Sequence, residues 1–245
     1  MTHKFGRLVL FSACAIVISM FTLAAAPCTQ ASLQTYIGLG STGCTVGNDT
    51  FFNFQLVNDA ASGGATLVTA ADIMVQGEGP SGTVGASGPN TFLPNDIGVD
   101  FDTALWSVTS GQSQDDDIAF DVSVGTGVVD ITDAGVDQIS AVTPNGSATV
   151  TEKGCSGIVF PCTQTWGVAS SDAAFVSDTI FSATGTLSVE KDIALIGNNG
   201  SATLSNVADV FSTSEVPEPR ALSFLLGLGL VAGFVLRKKL QGSNA

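Results

Sequence analysis

From Thr50 to Phe211 short runs rich in Val, Ile, Thr and Phe alternate with breaks of Gly, Asn, Asp or Pro, at intervals of roughly ten residues. β-Branched and aromatic side chains suit a half-buried pleated surface, and the breaks come too often for helices of ordinary length. Candidate strands are Thr50–Val57, Thr66–Val75, Ala104–Thr109, Ile118–Val124, Asp137–Thr143, Ser147–Glu152, Thr165–Ala169, Ala174–Phe181, Gly185–Val189, Ile193–Ile196 and Ser201–Phe211. Helical stretches are hard to find. So many short strands share one core more economically than two, which predicts an all-β fold with a single antiparallel β-sandwich ectodomain over residues 27–215. Its aromatic core would come from Phe51, Phe52, Phe54, Phe101, Trp106, Phe120, Phe175, Phe181 and Phe211.

Two connections carry a turn signature. Asn145-Gly146 and Asn199-Gly200 supply the positive φ angles of tight hairpins, so two hairpins are expected there. The hexapeptides Asn145-Gly-Ser-Ala-Thr-Val150 and Asn199-Gly-Ser-Ala-Thr-Leu204 are nearly identical, but no constant period runs through the rest of the chain. They read as convergent hairpin chemistry rather than a solenoid.

Charge narrows the function. Residues 27–216 carry two basic side chains, Lys153 and Lys191, against 21 carboxylates, a net charge of −19. That excludes electrostatic nucleic-acid binding. The only histidine is His3, so a Ser-His-Asp triad and any His-ligated metal are excluded beyond it. A carboxylate pair such as a glycan hydrolase uses could draw on Glu78, Glu152, Glu190 and many Asp, but nothing in the spacing selects two of them. The expectation is a non-enzymatic protein with no cofactor. Hard-oxygen calcium ligands are offered by Asp115, Asp116 and Asp117, with Asp121 nearby, and separately by Asp96, Asp100 and Asp102, though no EF-hand pattern exists. A calcium-dependent glycan- or surface-binding module is therefore the alternative. Trp106 or Trp166 would be its glycan platform, or the Thr-x-Thr pairs at 149–151, 163–165 and 184–186 an ice-binding face.

Of five cysteines, Cys14 lies in the expected signal segment; if cleavage falls before Cys28, then Cys28, Cys44, Cys155 and Cys162 remain, an even set that implies disulfides in an exported chain. Three pairings are possible. Cys28–Cys44 with Cys155–Cys162 is favoured, because each pair is close in sequence and brackets a loop containing Gly or Pro.

The ends read as targeting segments. Lys4 and Arg7 precede the uncharged Leu8–Ala26, which closes on three alanines, so residues 1–26 are an expected signal peptide. After Val216-Pro217-Glu218-Pro219 and Arg220 comes the apolar Ala221–Leu236, an expected transmembrane helix, then the basic stop Arg237-Lys238-Lys239. Positive residues stay cytoplasmic, leaving residues 27–216 outside.

This order over residues 216–240 resembles the PEP-CTERM sorting signal, a bacterial tail also catalogued as the ice-binding protein C-terminal domain. The resemblance implies recognition of Val216, Pro217, Glu218 and Pro219 by a membrane-embedded exosortase, after signal peptidase has acted at the other end. It implies an inner-membrane precursor held by its C-terminal helix, then delivery to the cell surface or the extracellular matrix, where extracellular polysaccharide is a candidate partner. Tyr36–Phe54, Trp106–Ser113 and Glu190–Ile193 also look like segments shared by exported PEP-CTERM proteins.

Overall fold

The computed structural model describes residues 25–79, 97–125, 129–158, 161–162, 166–172 and 176–215. Residues 1–24, residues 216–245 with the expected sorting motif, transmembrane helix and basic stop, Asp96, Phe175 and Thr163–Thr165 lie outside the described residues. Among the described residues no helix is long and apolar enough to cross a membrane.

The chain is mostly strand, arranged in two sheets, with strands numbered here in chain order. The first sheet runs β1 (Ala26–Pro27), β3 (Cys44–Val46), β4 (Asp49–Ser62), β8 (Ser113–Val124), β13 (Thr186–Ile196), β10 (Ser147–Ser156) and β11 (Trp166–Ser171). The second runs β12 (Val176–Thr184), β9 (Val129–Val142), β14 (Ala202–Glu215), β6 (Ile97–Asp102), β5 (Met74–Glu78) and β2 (Ala31–Ser32), with β7 (Ser107–Val108) paired to β14. The β1–β3 pair is parallel and the other pairings are antiparallel.

The sheets face each other across one buried core, because each strand points alternate residues inward. Phe51 and Phe120 of the first sheet meet Phe211 of the second at ring-centroid distances of 6.0 and 6.2 Å, and Phe101 meets Phe120 at 5.9 Å. Removing such a ring from water is worth about 1.5–3 kcal/mol. Phe52, Phe54 and Trp106 are buried as well, and Phe181 stacks on Trp166 at 5.1 Å. Among the described residues the expected aromatic core is therefore found.

Inside this core lie three charged side chains. Lys191 points inward from β13, between Val189 and Ile193. Its Nζ donates to Glu152 Oε2 of the neighbouring β10 at 3.0 Å and to Asp209 Oδ1 of β14, in the opposing sheet. All three side chains are fully buried.

Four sequence expectations need correction. Asn145-Gly146 and Asn199-Gly200 do not close hairpins: β9 and β10 lie in different sheets, and so do β13 and β14. Each turn is an arch that carries the chain across the core. Positive φ is used as expected at Asn145 (72°), but in the second turn it falls at Asn198 (37°) rather than at Asn199-Gly200, and both serve to turn a corner between layers. The two arches lie side by side, with Thr143 N donating to Ser201 O at 2.9 Å, β9 pairing with β14 and β10 with β13. This is what the repeated hexapeptide builds. Second, Gly185–Val189 and Ile193–Ile196 belong to one strand, since the polar Glu190-Lys191-Asp192 stays in register with β8 and β10. Third, most of Thr66–Val75 is a loop, pinned where Asp72 Oδ2 accepts from Thr69 N (3.0 Å) and Thr69 Oγ1 (2.6 Å). Fourth, a helix, α1 (Leu33–Leu39), was not expected. Ser32 caps it by accepting from Thr35 N, while Leu33 and Gln34 donate to the carbonyls of Ile73 and Ala70 in that loop.

The disulfides are Cys28–Cys44 and Cys155–Cys162, the favoured pairing. The first ties the segment that passes from β1 to β2, and so from one sheet to the other, onto β3. By loop length, removing it as Cys28→Ser/Cys44→Ser should cost roughly 3 kcal/mol, and Cys155→Ser/Cys162→Ser roughly 2 kcal/mol, read by denaturant unfolding.

Gly154 lies against Trp166, where a Cβ would fall 2.0 Å from ring atom Cζ2. Gly154→Ala should cost about 1–3 kcal/mol in denaturant unfolding by displacing that ring. Gly38→Ala, with open space around its helical position, should be neutral or stabilising by up to about 1 kcal/mol.

Candidate functional site

On a strand whose odd residues face outward, Asp115 and Asp117 of β8 share the outer face of the first sheet. Register places Asp192 of β13 directly opposite Asp117 and places Thr151 of β10 beyond it. The three carboxylates each bring an oxygen within 4.8 Å of the other two. Two of them, Asp117 and Asp192, line an open groove with Thr151, Lys153, Gly167 and Glu190. Lys153 crosses it to pair with Glu190 at 2.7 Å. Partial burial, then the charge of Asp192, raises the Asp117 pKa; partial burial, then Asp115, raises that of Asp192. Crowded acids of this kind offer hard oxygen donors on a polar surface.

The expected set Asp115, Asp116 and Asp117 is thus half right. Asp116 points the other way, into the core, where its Oδ2 accepts from Trp106 Nε1 at 2.8 Å. Alternation along a strand forbids three consecutive side chains on one face. Asp192 takes the third place, and only the strand register reveals it. Asp121 is also separate, accepting from Asn53 Nδ2 at 2.6 Å and from Ser188 Oγ.

Asp100 and Asp102 of β6 belong to a second acidic group, on the other sheet, with Glu78 of β5 and Asp137 of β9. Asn206 Nδ2 donates to Asp102 Oδ1 at 2.8 Å. Burial, then the neighbouring Glu78, pushes the Asp100 pKa up to about 9, and burial pushes Asp137 up to about 6. Asp49 and Asp116 are each raised to about 7, chiefly by burial.

Neither tryptophan is a glycan platform: Trp106 and Trp166 are both buried, 1% and 6% exposed. Of the described Thr-x-Thr residues, Thr149 and Thr151 share the outer face of β10, but Asp192 faces Thr151, and Thr186 stands at the far end of β13. They form no flat threonine array. Of the candidate hydrolytic acids, Glu152 is held by Lys191, Glu190 by Lys153, and Glu78 is buried beside Asp100.

This is a two-sheet, sandwich-like, disulfide-bonded β protein with acidic outer faces. No family model matches the chain, and no curated protein matches it. Among solved structures it is similar to TmCBM61 in complex with beta-1,4-galactotriose, at 9% identity and a TM-score of 0.28, covering 63% of this chain and 89% of that one. It is also similar to the enzymatically active domain of bacteriophage CBA120 tailspike protein 4, at 8% identity and a TM-score of 0.27, covering 74% of this chain but 21% of that one. At these scores neither likeness carries an argument about function.

The raised acids fix a pH dependence. A carboxyl whose folded pKa lies above its unfolded value near 3.8 binds more protons when folded, so stability falls as pH rises from there to the folded value, about 7 for Asp116 and Asp49 and about 9 for Asp100. Tm should therefore rise by several degrees from about pH 9 to about pH 5. Asp116→Asn, which keeps an acceptor for Trp106, should flatten that slope between about pH 5 and about pH 7 in scanning calorimetry.

Proposed function

We propose that this chain is a non-enzymatic exported protein of the cell surface or extracellular matrix, sorted through its C-terminal Pro217-Glu218-Pro219 motif by an exosortase. The pair of disulfides supports the reading most directly, because such bonds persist in oxidising compartments outside the cytoplasm. The acidic surface agrees with it, since a large negative charge keeps an exported β protein soluble and apart from its copies. The leader over residues 1–26 gives export, and the apolar Ala221–Leu236 with Arg237, Lys238 and Lys239 holds the precursor in the inner membrane until the motif is cut.

Intact-mass analysis of membrane and released fractions from the native host tests this. The expected released species lacks residues up to about 26 and those beyond about 217, while Glu218→Ala accumulates in the membrane with its tail. A released wild-type chain that keeps the tail, or a cytoplasmic chain that keeps the leader, would overturn the reading.

A second reading, a cation-assisted glycan- or surface-binding module, is favoured by one observation, the Asp115–Asp117–Asp192 group beside an open polar groove. Millimolar calcium should then raise Tm by a few degrees over chelator, and Asp117→Asn/Asp192→Asn should abolish the shift. An unchanged Tm would remove it. A carboxylate-dependent glycan enzyme is the least supported reading, as its candidate acids are occupied or buried.

A further inference from the structure

Three charged side chains meet between the sheets. Lys191, Glu152 and Asp209 have no exposed side-chain surface. Around them lie Val189 and Ile193 along β13, Ile118 opposite on β8, and Val136 and Val207 of the other sheet, all buried. The Nζ of Lys191 touches both carboxylates, while the second oxygens, Glu152 Oε1 and Asp209 Oδ2, have no hydrogen-bond partner among the described residues. One ammonium facing two carboxylates among apolar side chains leaves a net negative charge that no other cation among the described residues contacts. A proton on one carboxyl removes that charge. Asp209 is the group that takes it: burial, then the charge of Glu152, raises its pKa well above the ordinary range. The Lys191 amine is shifted too: burial would lower its pKa, but Asp209 and Glu152 outweigh burial and raise it. It therefore starts as an ammonium and needs a base beside it, which Glu152 supplies.

We propose that Lys191 and Asp209 condense to an intramolecular amide, a covalent cross-link between β13 and β14 and so between the two sheets, with Glu152 moving the protons. The starting set is the Lys191 ammonium, the Asp209 carboxylic acid and the Glu152 carboxylate. Glu152 takes one proton from Nζ, which makes all three groups neutral, the form that a low-dielectric core favours. The amine lone pair forms the Nζ–Cγ bond to Asp209, while Glu152, now an acid, hydrogen-bonds the developing oxyanion. Glu152 then passes its proton to the departing hydroxyl and accepts a second proton from Nζ. The Cγ–O bond breaks, water leaves, and the products are the amide, one water and a Glu152 carboxylic acid. Atoms and charge balance, and no oxidant or other reactant is needed. In bulk water the ionised amine and acid resist condensation. Here burial penalises the ions, and the reacting atoms are held together at an effective concentration no free pair reaches. Glu152 contacts the reacting atoms and is a catalytic residue for this single-turnover step. The inference rests on the fold and does not depend on how the protein is sorted.

The test uses the full chain, folded, then reduced, denatured and weighed. The expected mass is one water, about 18 Da, below that of the sequence. Trypsin should then fail to cut after Lys191, leaving residues 154–220 as one fragment that carries the deficit; a second protease should yield a branched peptide joining the Lys191 and Asp209 segments. Glu152→Gln, with its far-UV spectrum confirming a folded β protein, should show the full sequence mass and normal cleavage at Lys191. A folded wild-type chain of full mass, cut at Lys191, would overturn the proposal. So would a water loss that persists in Lys191→Met or Asp209→Ala, or a branch that joins Lys191 to Glu152.

Discussion

A lysine has been carried into the middle of an apolar β core, and the two sheets are organised around it. Lys191 extends from one sheet to a carboxylate on its neighbouring strand and to another across the interface. Truncating one partner of such a group strands a charge in the interior and costs about 3–5 kcal/mol, more than any one aromatic contact around it returns. The contact also sets register. Lys191 meets Glu152 and Asp209 only if β10, β13 and β14 hold their observed alignment, and a slip of one residue would send all three outward. The two Asn-Gly arches supply this alignment, one leading β9 into β10 and the other β13 into β14, with the arms paired in both sheets.

The rest of the electrostatics follows from having so few cations. With Lys191 in the core and Lys153 on Glu190, the other acids of the sandwich must be accommodated by neutral donors or by protons. Trp106 donates to Asp116, Asn53 and Ser188 to Asp121, Asn206 to Asp102, and the Ser212 backbone to Asp133. Where donors run out, as at Asp100 and Asp49, burial raises the pKa instead. On the outer face of the first sheet the exposed Asp115 and Asp192 and the half-buried Asp117 crowd together.

The two-sheet β architecture was legible because period-two alternation of Val, Ile, Thr and Phe is a local signal. The aromatic core was legible for the same reason, and so was the disulfide pairing from its short loops. Connectivity was not. A positive φ, at Asn145 in one turn and at Asn198 in the other, serves a hairpin and an inter-sheet arch alike. The central triad is masked locally: Glu190-Lys191-Asp192 looks like a polar break between strands, although Leu187, Val189, Lys191, Ile193 and Leu195 keep one phase. Ala148-x-Val150-x-Glu152 and Val207-x-Asp209-x-Phe211 show the same pattern, a charge at an inward position. Three inward charges of opposite sign, on strands otherwise apolar on that face, were the available signal. The Asp192 partner of Asp115 and Asp117 had none, because it depends on which strands are neighbours. Helix α1 was missed because seven residues containing Gly38 carry too little periodicity.

If the buried triad is what joins the sheets, local stability should be highest around it. Native-state amide hydrogen exchange reads this directly, since each backbone amide reports the free energy of the opening that exposes it. The slowest amides should cluster in β13, β10, β9 and β14, at the residues flanking Lys191, Glu152 and Asp209, and should exchange only by global unfolding. Slowest exchange confined instead to β4 and β8, with the four arch strands opening early, would contradict the account and make the aromatic cluster the true centre of the fold.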